Sequence, residues 1–371
     1  MTRTWLRWVP AAVVPVVIAA GALVGSVHAS AGEALPVKTP EQVLAMIEQS
    51  RVSALSGSLE QTAQLGLPQL PTGGGTTATS GAAAALELLT GSHTARVYLD
   101  GPANLRVQVL DKLAERDLVR HGNDVWLYVS ATNTATHVTL PAGGAAAPGA
   151  AGKTGAGEGP AVPQGMQTPA QIAQRMLAAI DPSTRVTVGR DTEVAGRSAY
   201  DLVLTPKGSG TLVGSVSIAV DSATGLPLGV DVRARGQVDP AFRVAFTQLT
   251  LAAPPAQRFA FAPPPGATVH QQALPVPPVA GSQPKSAGKS AHPARPQPVT
   301  SGTGWATIVE LPAGTAPSEL TASPLFGQLT RAVTGGRLLH TALVNVLVTG
   351  DGRLLAGSVP VEALQAAATG Q

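Results

Sequence analysis

A regular alternation of apolar and polar residues, repeated in several short segments, most constrains how this chain can fold. In one of these segments Val216, Ile218 and Val220 alternate with small or polar residues. The same period of two recurs in 105–109, 200–204, 226–232 and 242–246. Successive side chains of a strand point to opposite faces, so each segment is predicted to be a strand with one face on a core and one in water.

The residues between these segments are typical of tight turns. Gly101-Pro102, Gly122-Asn123 and the segment 221–225 separate successive strands at the spacing of hairpins. Such spacing leaves no room for crossover helices, so the sheet is predicted to be antiparallel. Trp126 and Tyr128 make the second face of one strand aromatic as well, and we expect another part of the chain to cover that face.

Two segments begin with matching helix signals. Thr39-Pro40-Glu41-Gln42 and Thr168-Pro169-Ala170-Gln171 each place Thr at the N-cap, Pro at the first helical position and Gln where it completes a capping box. Apolar residues three or four positions apart then give each helix one apolar face. Such a face fits either a helix that fills the core of the sheet or a lid over a cavity, and the sequence leaves both open.

Low-complexity stretches divide the chain into domains. A main domain is predicted over 36–270, with Gly-, Ala- and Pro-rich insertions near 68–85 and 141–167. The Pro-rich stretch 271–302 is predicted to be a linker, because it cannot bury enough apolar surface to offset its ordering entropy. The remaining residues, 303–371, are predicted to form a small α/β region.

The N-terminal segment 1–31 has the layout of a secretory signal peptide. Arg3 and Arg7 precede the apolar run Val9–Val24, and Ala29-Ser30-Ala31 satisfies the small-x-small rule for cleavage. The alternative is an uncleaved N-terminal membrane anchor. Both predict that the rest of the chain lies outside the cytoplasm, in the cell envelope or secreted.

Composition excludes several classes of function. The chain has no cysteine, which removes disulfides and thiolate chemistry, and its formal net charge of +3 gives no electrostatic footprint for nucleic acid. There is no Gly-x-Ser-x-Gly elbow, no phosphate-binding Gly-rich loop and no pair of histidines at metal-ligand spacing. Glu115 and Asp117 interleave with Arg116 and Arg120, which predicts an exposed, salt-bridged hairpin. No catalytic residue, cofactor or metal site is therefore predicted, and the protein is expected not to be an enzyme.

Two motifs carry a family resemblance. Asp221-x-x-Thr224-Gly225-x-Pro227 resembles the Asp-x-x-Thr-Gly-x-Pro hairpin of the LolA-like superfamily, and the segment 259–266 resembles its closing Phe-x-Phe-x-Pro-Pro-x-Gly signature. That group includes the lipoprotein carriers LolA and LolB and the periplasmic sensor RseB. The layout is most similar to exported actinobacterial proteins of this group, over about 36–269.

The resemblance implies a fold and a class of function. The fold is mainly β with α: a half-open antiparallel β-barrel covered by helices, to which the chain adds the small C-terminal α/β region. Carriers of this shape hold acyl chains between the sheet and the helices. The expected function is a non-catalytic carrier or binder of lipids or acylated proteins in the bacterial cell envelope. The alternative is an RseB-like sensor that binds an anti-sigma factor or another membrane-anchored regulatory protein.

Fourteen residues are predicted to line a hydrophobic cavity, although the same pattern is also expected of ordinary core. On the strands they are Leu105, Val107, Val125, Leu127, Val216, Ile218, Leu228, Val230, Phe242 and Phe246. On the helices they are Val43, Ile47, Ile172 and Met176.

Overall fold

A computed structural model describes residues 35–67, 91–110, 114–140, 167–273, 298–314 and 324–370. The predicted signal segment 1–31 and the insertion 68–85 lie outside these ranges, as does the insertion 141–167 except for its last residue. The described residues from Lys38 onward belong to one compact unit. Within the described ranges, no helix combines the length and the hydrophobicity needed to cross a membrane.

Thirteen strands of the described chain form one open sheet. They are β1 (Ala54–Ala63), β2 (Gly91–Asp100), β3 (Asn104–Leu110), β4 (Glu115–His121), β5 (Asp124–Val129), β6 (Thr134–Thr139), β7 (Thr184–Val188), β8 (Thr192–Val194), β9 (Arg197–Pro206), β10 (Val213–Asp221), β11 (Pro227–Ala234), β12 (Phe242–Thr250) and β13 (Thr268–Ala273). Their order is β13-β6-β5-β4-β3-β2-β1-β12-β11-β10-β9-β7, and β8 also pairs with β9. The predicted mainly β architecture is confirmed, antiparallel pairing dominates, and the sheet is open rather than closed.

The prediction of a wholly antiparallel sheet is wrong at one edge. Strand β13 pairs with β6 in parallel, with Thr268 opposite Thr134 and Ala273 opposite Thr139. Hairpin spacing predicts only the pairing of strands that are neighbours in sequence, whereas β13 reaches β6 after a connection that begins at the end of β12. The strand also extends into the predicted linker 271–302, of which 274–297 lie outside the described residues.

The two predicted helices form with the caps that the sequence indicates. Helix α1 (Pro40–Gln49) and helix α2 (Pro169–Ala178) each have the complete Thr–Gln capping box. In α1 the Gln42 backbone N–H donates to the Thr39 hydroxyl (N–O distance 3.3 Å), and the Gln42 side-chain oxygen accepts from the Thr39 N–H (2.9 Å). Helix α1 packs against β7 and β9, and α2 packs against β11 and β12.

A segment after β12 crosses the aromatic side of β5. Phe259, at the end of a 3₁₀ turn, is buried, and the Phe261 ring lies 5.4 Å from the Trp126 ring and 6.0 Å from the Tyr128 ring, between centroids. Packing of these rings accounts for the two-sided hydrophobicity of β5. We name residues 256–267 the closing segment, since they contain the Phe-x-Phe-x-Pro-Pro-x-Gly signature.

The C-terminal residues form a second sheet of six described strands. They are β14 (Val299–Ser301), β15 (Ile308–Leu311), β16 (Thr330–Val333), β17 (Gly336–His340), β18 (Asn345–Thr349) and β19 (Leu354–Gly357), in the order β14-β15-β19-β18-β17-β16. Helix α3 (Pro324–Leu329) packs on β16, and helix α4 (Val361–Thr369) packs on β18 and β19. Leu338, Leu347, Leu355 and Leu364 form the centre of its core.

Hydrogen bonds join the two sheets at one end of the C-terminal sheet. The Leu212 backbone N–H and the Thr211 hydroxyl both donate to the Ser358 carbonyl, each at 2.8 Å. The Trp305 indole N–H donates to the Thr184 hydroxyl, also at 2.8 Å. The C-terminal region is therefore attached to the main sheet by polar contacts.

Candidate functional site

The strand register places all the predicted strand residues of the cavity on one face of the large sheet. Residues that pair directly across neighbouring strands share a face, and the pairings Val107–Leu118–Leu127 and Leu204–Val216–Val232 each run across three strands. Phe246 pairs with Leu59, which connects the two halves of the sheet through β1. We call this the apolar face and the opposite one the polar face.

The half of the apolar face on β9–β12 is closed. Val216, Ile218, Leu228 and Val230 have no exposed surface, and Phe246 is 4% exposed. Phe242, at the start of β12, is half-buried. These residues have the burial of ordinary core side chains.

The helix residues predicted to face the sheet also fall into a buried group and a half-buried group. Val43 on α1 and Ile172 on α2 are buried, whereas Ile47 and Met176, nearer the helix ends, are half-buried. Ala170 packs against the cluster that contains Leu228 and Phe246. Both helices therefore bury an apolar stripe against the rest of the domain, as their periodicity predicts.

The other half of the apolar face, on β3–β5, is incompletely covered. Val107 is buried in the core cluster, but Leu105, Leu118, Val125 and Leu127 are each only half-buried. These four side chains lie on three neighbouring strands: Leu118 pairs directly with Leu127, and in the next row Arg120 stands between Leu105 and Val125. We name Leu105, Leu118, Val125 and Leu127 the open patch.

Two arginines flank the open patch on the same face. Arg116 and Arg120 lie two residues to either side of Leu118 on β4, and the register pairs Arg116 with Val129 and Arg120 with Val125. The Arg120 Nε–H donates to the Gly122 carbonyl at 3.1 Å. Both side chains are half-buried, which differs from the exposed hairpin predicted for this segment, because the register turns them toward the apolar face. Sequence reasoning missed them as site residues, although the alternation Arg-x-Leu-x-Arg was visible.

On the polar face of the same hairpin, Asp117 is buried rather than exposed. The Arg106 guanidinium donates to its carboxylate through Nε, at 3.1 Å to each oxygen, and through Nη2, at 2.6 Å. Burial raises the pKa of Asp117 above its ordinary value even though the Arg106 guanidinium opposes the rise. The pair also holds the closing segment, because Arg106 Nη1 donates to the Arg258 carbonyl at 3.1 Å.

The open patch offers contact surface rather than reacting groups. Its side chains are aliphatic and its flanking groups are permanently charged guanidiniums, which pair with carboxylates and phosphates in a bidentate manner. Within the described ranges no three His, Asp or Glu side chains converge as metal ligands would. The arrangement suits an amphiphile with an apolar body and an anionic head.

An open, mostly antiparallel sheet with one apolar face, two capped helices and a closing aromatic segment defines an α+β fold. Among solved structures, the chain is similar to MucB from the MucA/MucB complex of Pseudomonas aeruginosa, at 15% identity over 89% of this chain and 96% of that one, with a TM-score of 0.41. A second crystal structure of MucB gives 16% identity over 89% and 96%, with a TM-score of 0.39. A LolA superfamily protein from Nitrosomonas europaea gives 11% identity over 61% and 99%, with a TM-score of 0.24.

No protein-family model matches the chain, and no curated protein matches its sequence. One of these solved structures is of a LolA superfamily protein, the group that the two motifs resemble. Likeness at this level does not extend to what those proteins bind.

Proposed function

We propose that this protein is a non-catalytic binder or carrier of lipids or acylated proteins in the bacterial cell envelope. The observation that carries the proposal is the open patch: four aliphatic side chains on β3–β5 stay half-buried, whereas Val216, Ile218, Leu228 and Val230 on the same face have no exposed surface. An acyl chain laid along Leu105, Leu118, Val125 and Leu127 would complete their burial. Each methylene removed from water contributes about 0.8 kcal/mol before the costs of ordering the ligand.

The arginines beside the open patch favour an anionic head group. A phosphate or carboxylate placed over Leu118 would lie between Arg116 and Arg120. Guanidinium–phosphate hydrogen bonds are charge-assisted and stronger than neutral ones. The ligand expected from this arrangement is therefore an anionic lipid or an acylated polypeptide with an acidic group near its acyl chain.

The location proposed for this activity is outside the cytoplasm. The segment 1–31 supports it through its basic start, its apolar run and its small-x-small sites. Cleaved or retained as an anchor, such a segment would deliver the folded domains to the side of the membrane where lipids and lipoproteins are handed between carriers.

Native mass spectrometry of the protein from a bacterial envelope fraction tests the proposal. We expect adducts with discrete lipid masses, and we expect Leu127→Asp to reduce their occupancy about tenfold or more, because a carboxylate in the open patch opposes burial of the chain. The matched control is Thr94→Asp, which adds the same charge at an exposed position on the polar face of β2. A clean mass that stays unchanged after incubation with phosphatidylglycerol vesicles would overturn the proposal, as would equal loss in the control.

The second candidate is a sensor that binds a membrane-anchored regulatory protein. It is favoured by the C-terminal sheet, whose core side packs on α4 while the other side carries partly exposed aliphatic residues. These are Val309, Leu311, Leu339, Val346, Val348 and Leu354. Such a face suits a protein contact.

The two candidates separate in a pull-down with the extracytoplasmic part of a single-pass anti-sigma factor. If the second is correct, Val309→Asp should abolish capture, because Val309 is 37% exposed on the aliphatic side of the C-terminal sheet. Val344→Asp is the control, since Val344 is 39% exposed but lies in the turn before β18. Capture that persists in Val309→Asp, or no capture by the unmodified protein, would count against this candidate.

A further inference from the structure

A pocket of about 140 Å³ lies on the polar face of the large sheet, on the side opposite the open patch. Its floor is a row of residues paired across four strands, Asp201 on β9, Ala219 on β10, Gly229 on β11 and Ala245 on β12. Because three of the four have small side chains, the floor is recessed between larger neighbours. Strand β8, which contacts β10 and β12 as well as β9, contributes Thr192 and Val194 to one wall.

The second row of the pocket is charged. Ser217, Asp231 and Arg243 pair across β10, β11 and β12, and Arg233 lies beside them on β11. Arg243 Nη1 donates to Asp231 at 3.0 Å, and Arg233 lies 3.7 Å from the same carboxylate. Asp231 therefore has two cationic partners.

Asp201 differs from Asp231 in its partners. Asp201 and Ser217 both line the pocket, and among the described residues Asp201 forms no ion pair within 4.0 Å. Arg233 Nη1 donates to the Ser217 oxygen at 3.2 Å, and its charge also acts on the Asp201 carboxylate. Burial raises the pKa of Asp201, and the charge of Arg233 and the nearby Ser217 side chain offset the rise only in part.

We infer that this pocket binds the primary ammonium group of a small aliphatic amine, with the ammonium between Asp201 and Ser217. An ammonium supplies the cation and the N–H donors that the Asp201 carboxylate lacks. A short alkyl chain would then lie over Ala219, Ala245 and Val194, the apolar part of the lining. The site is separate from the open patch, since the strand register assigns the two to opposite faces of the sheet.

The size of the pocket limits the ligand to a few heavy atoms. A cavity of about 150 Å³ accommodates a molecule such as benzene, so four carbons and an ammonium fit the available space. An anion of the same size is disfavoured, because it would compete with Asp231 for Arg233 and Arg243 and would lie near two carboxylates. A quaternary ammonium carries the right charge but has no N–H to donate to Asp201.

Calorimetric titration of the full chain with n-butylammonium, in phosphate buffer free of amines, tests the site. We expect saturable binding of n-butylammonium, with butyrate and tetramethylammonium bound at least about tenfold more weakly, because only the primary ammonium makes charge-assisted hydrogen bonds here. Asp201→Asn should weaken the binding of n-butylammonium by about tenfold or more. The matched control Asp239→Asn, at an exposed position in the β11–β12 turn, should leave affinity within about twofold.

The unfolding temperature of the variant shows whether a loss of amine binding is due to the site or to a loss of folding. Because burial penalises the charged form of Asp201, Asp201→Asn should unfold at the same temperature as the unmodified protein or higher near pH 7 while losing the amine. Ser217→Ala provides a second variant that should also weaken binding. The inference would be overturned if Asp201→Asn bound n-butylammonium as tightly as the unmodified protein does. It would also be overturned if the protein bound butyrate as tightly as n-butylammonium.

The ammonium could come from a free amine or from a lipid head group. Vesicles containing phosphatidylethanolamine present a primary ammonium, and vesicles of phosphatidylcholine present a quaternary one. Suppose that the protein binds only the phosphatidylethanolamine vesicles and that Asp201→Asn abolishes this binding. That result supports the site and identifies a lipid head group as the source of the ammonium. Binding of n-butylammonium without binding of either kind of vesicle supports the site and identifies a free amine as the ligand.

Discussion

Replacing Asp221 with Ala is expected to destabilise the main domain by about 3 kcal/mol or more, because several hydrogen bonds to one buried carboxylate are lost together. Its side chain is 2% exposed and accepts from Arg197 Nε and Nη2, each at 2.8 Å. It also accepts from the backbone N–H of Thr224 at 2.9 Å, which closes the turn between β10 and β11. Denaturant unfolding at neutral pH measures the change.

The matched control for this prediction is Asp239→Ala, which removes an exposed carboxylate from the next turn of the same sheet. It should change the free energy of unfolding by less than about 0.5 kcal/mol. A loss in Asp221→Ala no larger than in the control would show that the turn is held by its backbone alone.

The pH dependence of Asp221→Ala should also differ from that of the unmodified protein. Burial alone would raise the pKa of Asp221, but hydrogen bonds from Arg197 and Thr224 outweigh it and hold the pKa below its ordinary value. Because its folded-state pKa is lowered, the Asp221 carboxylate contributes to the free energy of unfolding above about pH 4. This contribution is lost as the pH falls through the folded-state pKa. The difference in stability between the two proteins should therefore shrink only in strong acid.

This carboxylate also explains why the Asp-x-x-Thr-Gly motif could be read as a marker of the fold. Asp221 and Thr224 shape the turn, and Gly225 follows with φ of 72°, a conformation that favours glycine. A Cβ added at Gly225 would lie 2.1 Å from the Met46 carbonyl oxygen of α1. The motif thus allows a close approach between helix α1 and the turn after β10, which is a requirement of architecture rather than of a ligand.

The sequence predicts local structure well where one physical rule decides it. Alternation placed Val216 and Ile218 on a buried face, and the Thr–Gln pairs predicted both capping boxes. These features depend on neighbours two to four residues away, so the pattern contains all the information needed. The aromatic second face of β5 likewise predicted a cover, which the closing segment provides.

Prediction failed where distant partners decide the outcome. The parallel pairing of β13 with β6 depends on residues that lie 134 positions apart at Thr134 and Thr268. In the C-terminal region, helix α3 ends at Leu329 and the chain continues directly as strand β16, because Thr330 pairs with the distant Leu339. Whether an apolar residue is closed core or open patch also depends on what covers it, which period-2 patterning does not encode.

The sequence also did not predict that Arg106 and Asp117 form a buried ion pair. Breaking this pair is the second substitution for which we expect a large loss of stability. Arg106→Met should destabilise the protein by about 3–5 kcal/mol, because it leaves Asp117 as a buried charge without its cation. Burial already raises the pKa of this carboxyl with Arg106 present. Without Arg106 the carboxyl should take up a proton more readily, so the variant should regain stability as pH is lowered toward the ordinary range of an aspartate.

The double variant Arg106→Met with Asp117→Leu distinguishes a buried charge from a gap in packing. If the uncompensated carboxylate is the cause, removing it should recover most of the lost stability, because apolar residues of similar volume often replace a buried ion pair at little cost. A double-mutant cycle measured by denaturant unfolding then gives the coupling between the two side chains. Recovery should still be incomplete, because Arg106 also donates to the Arg258 carbonyl and so holds the closing segment over β5. Faster hydrogen exchange in residues 256–267 of the double variant would identify that remaining loss with the segment, whereas additive effects of the two substitutions would show that the pair contributes no coupling.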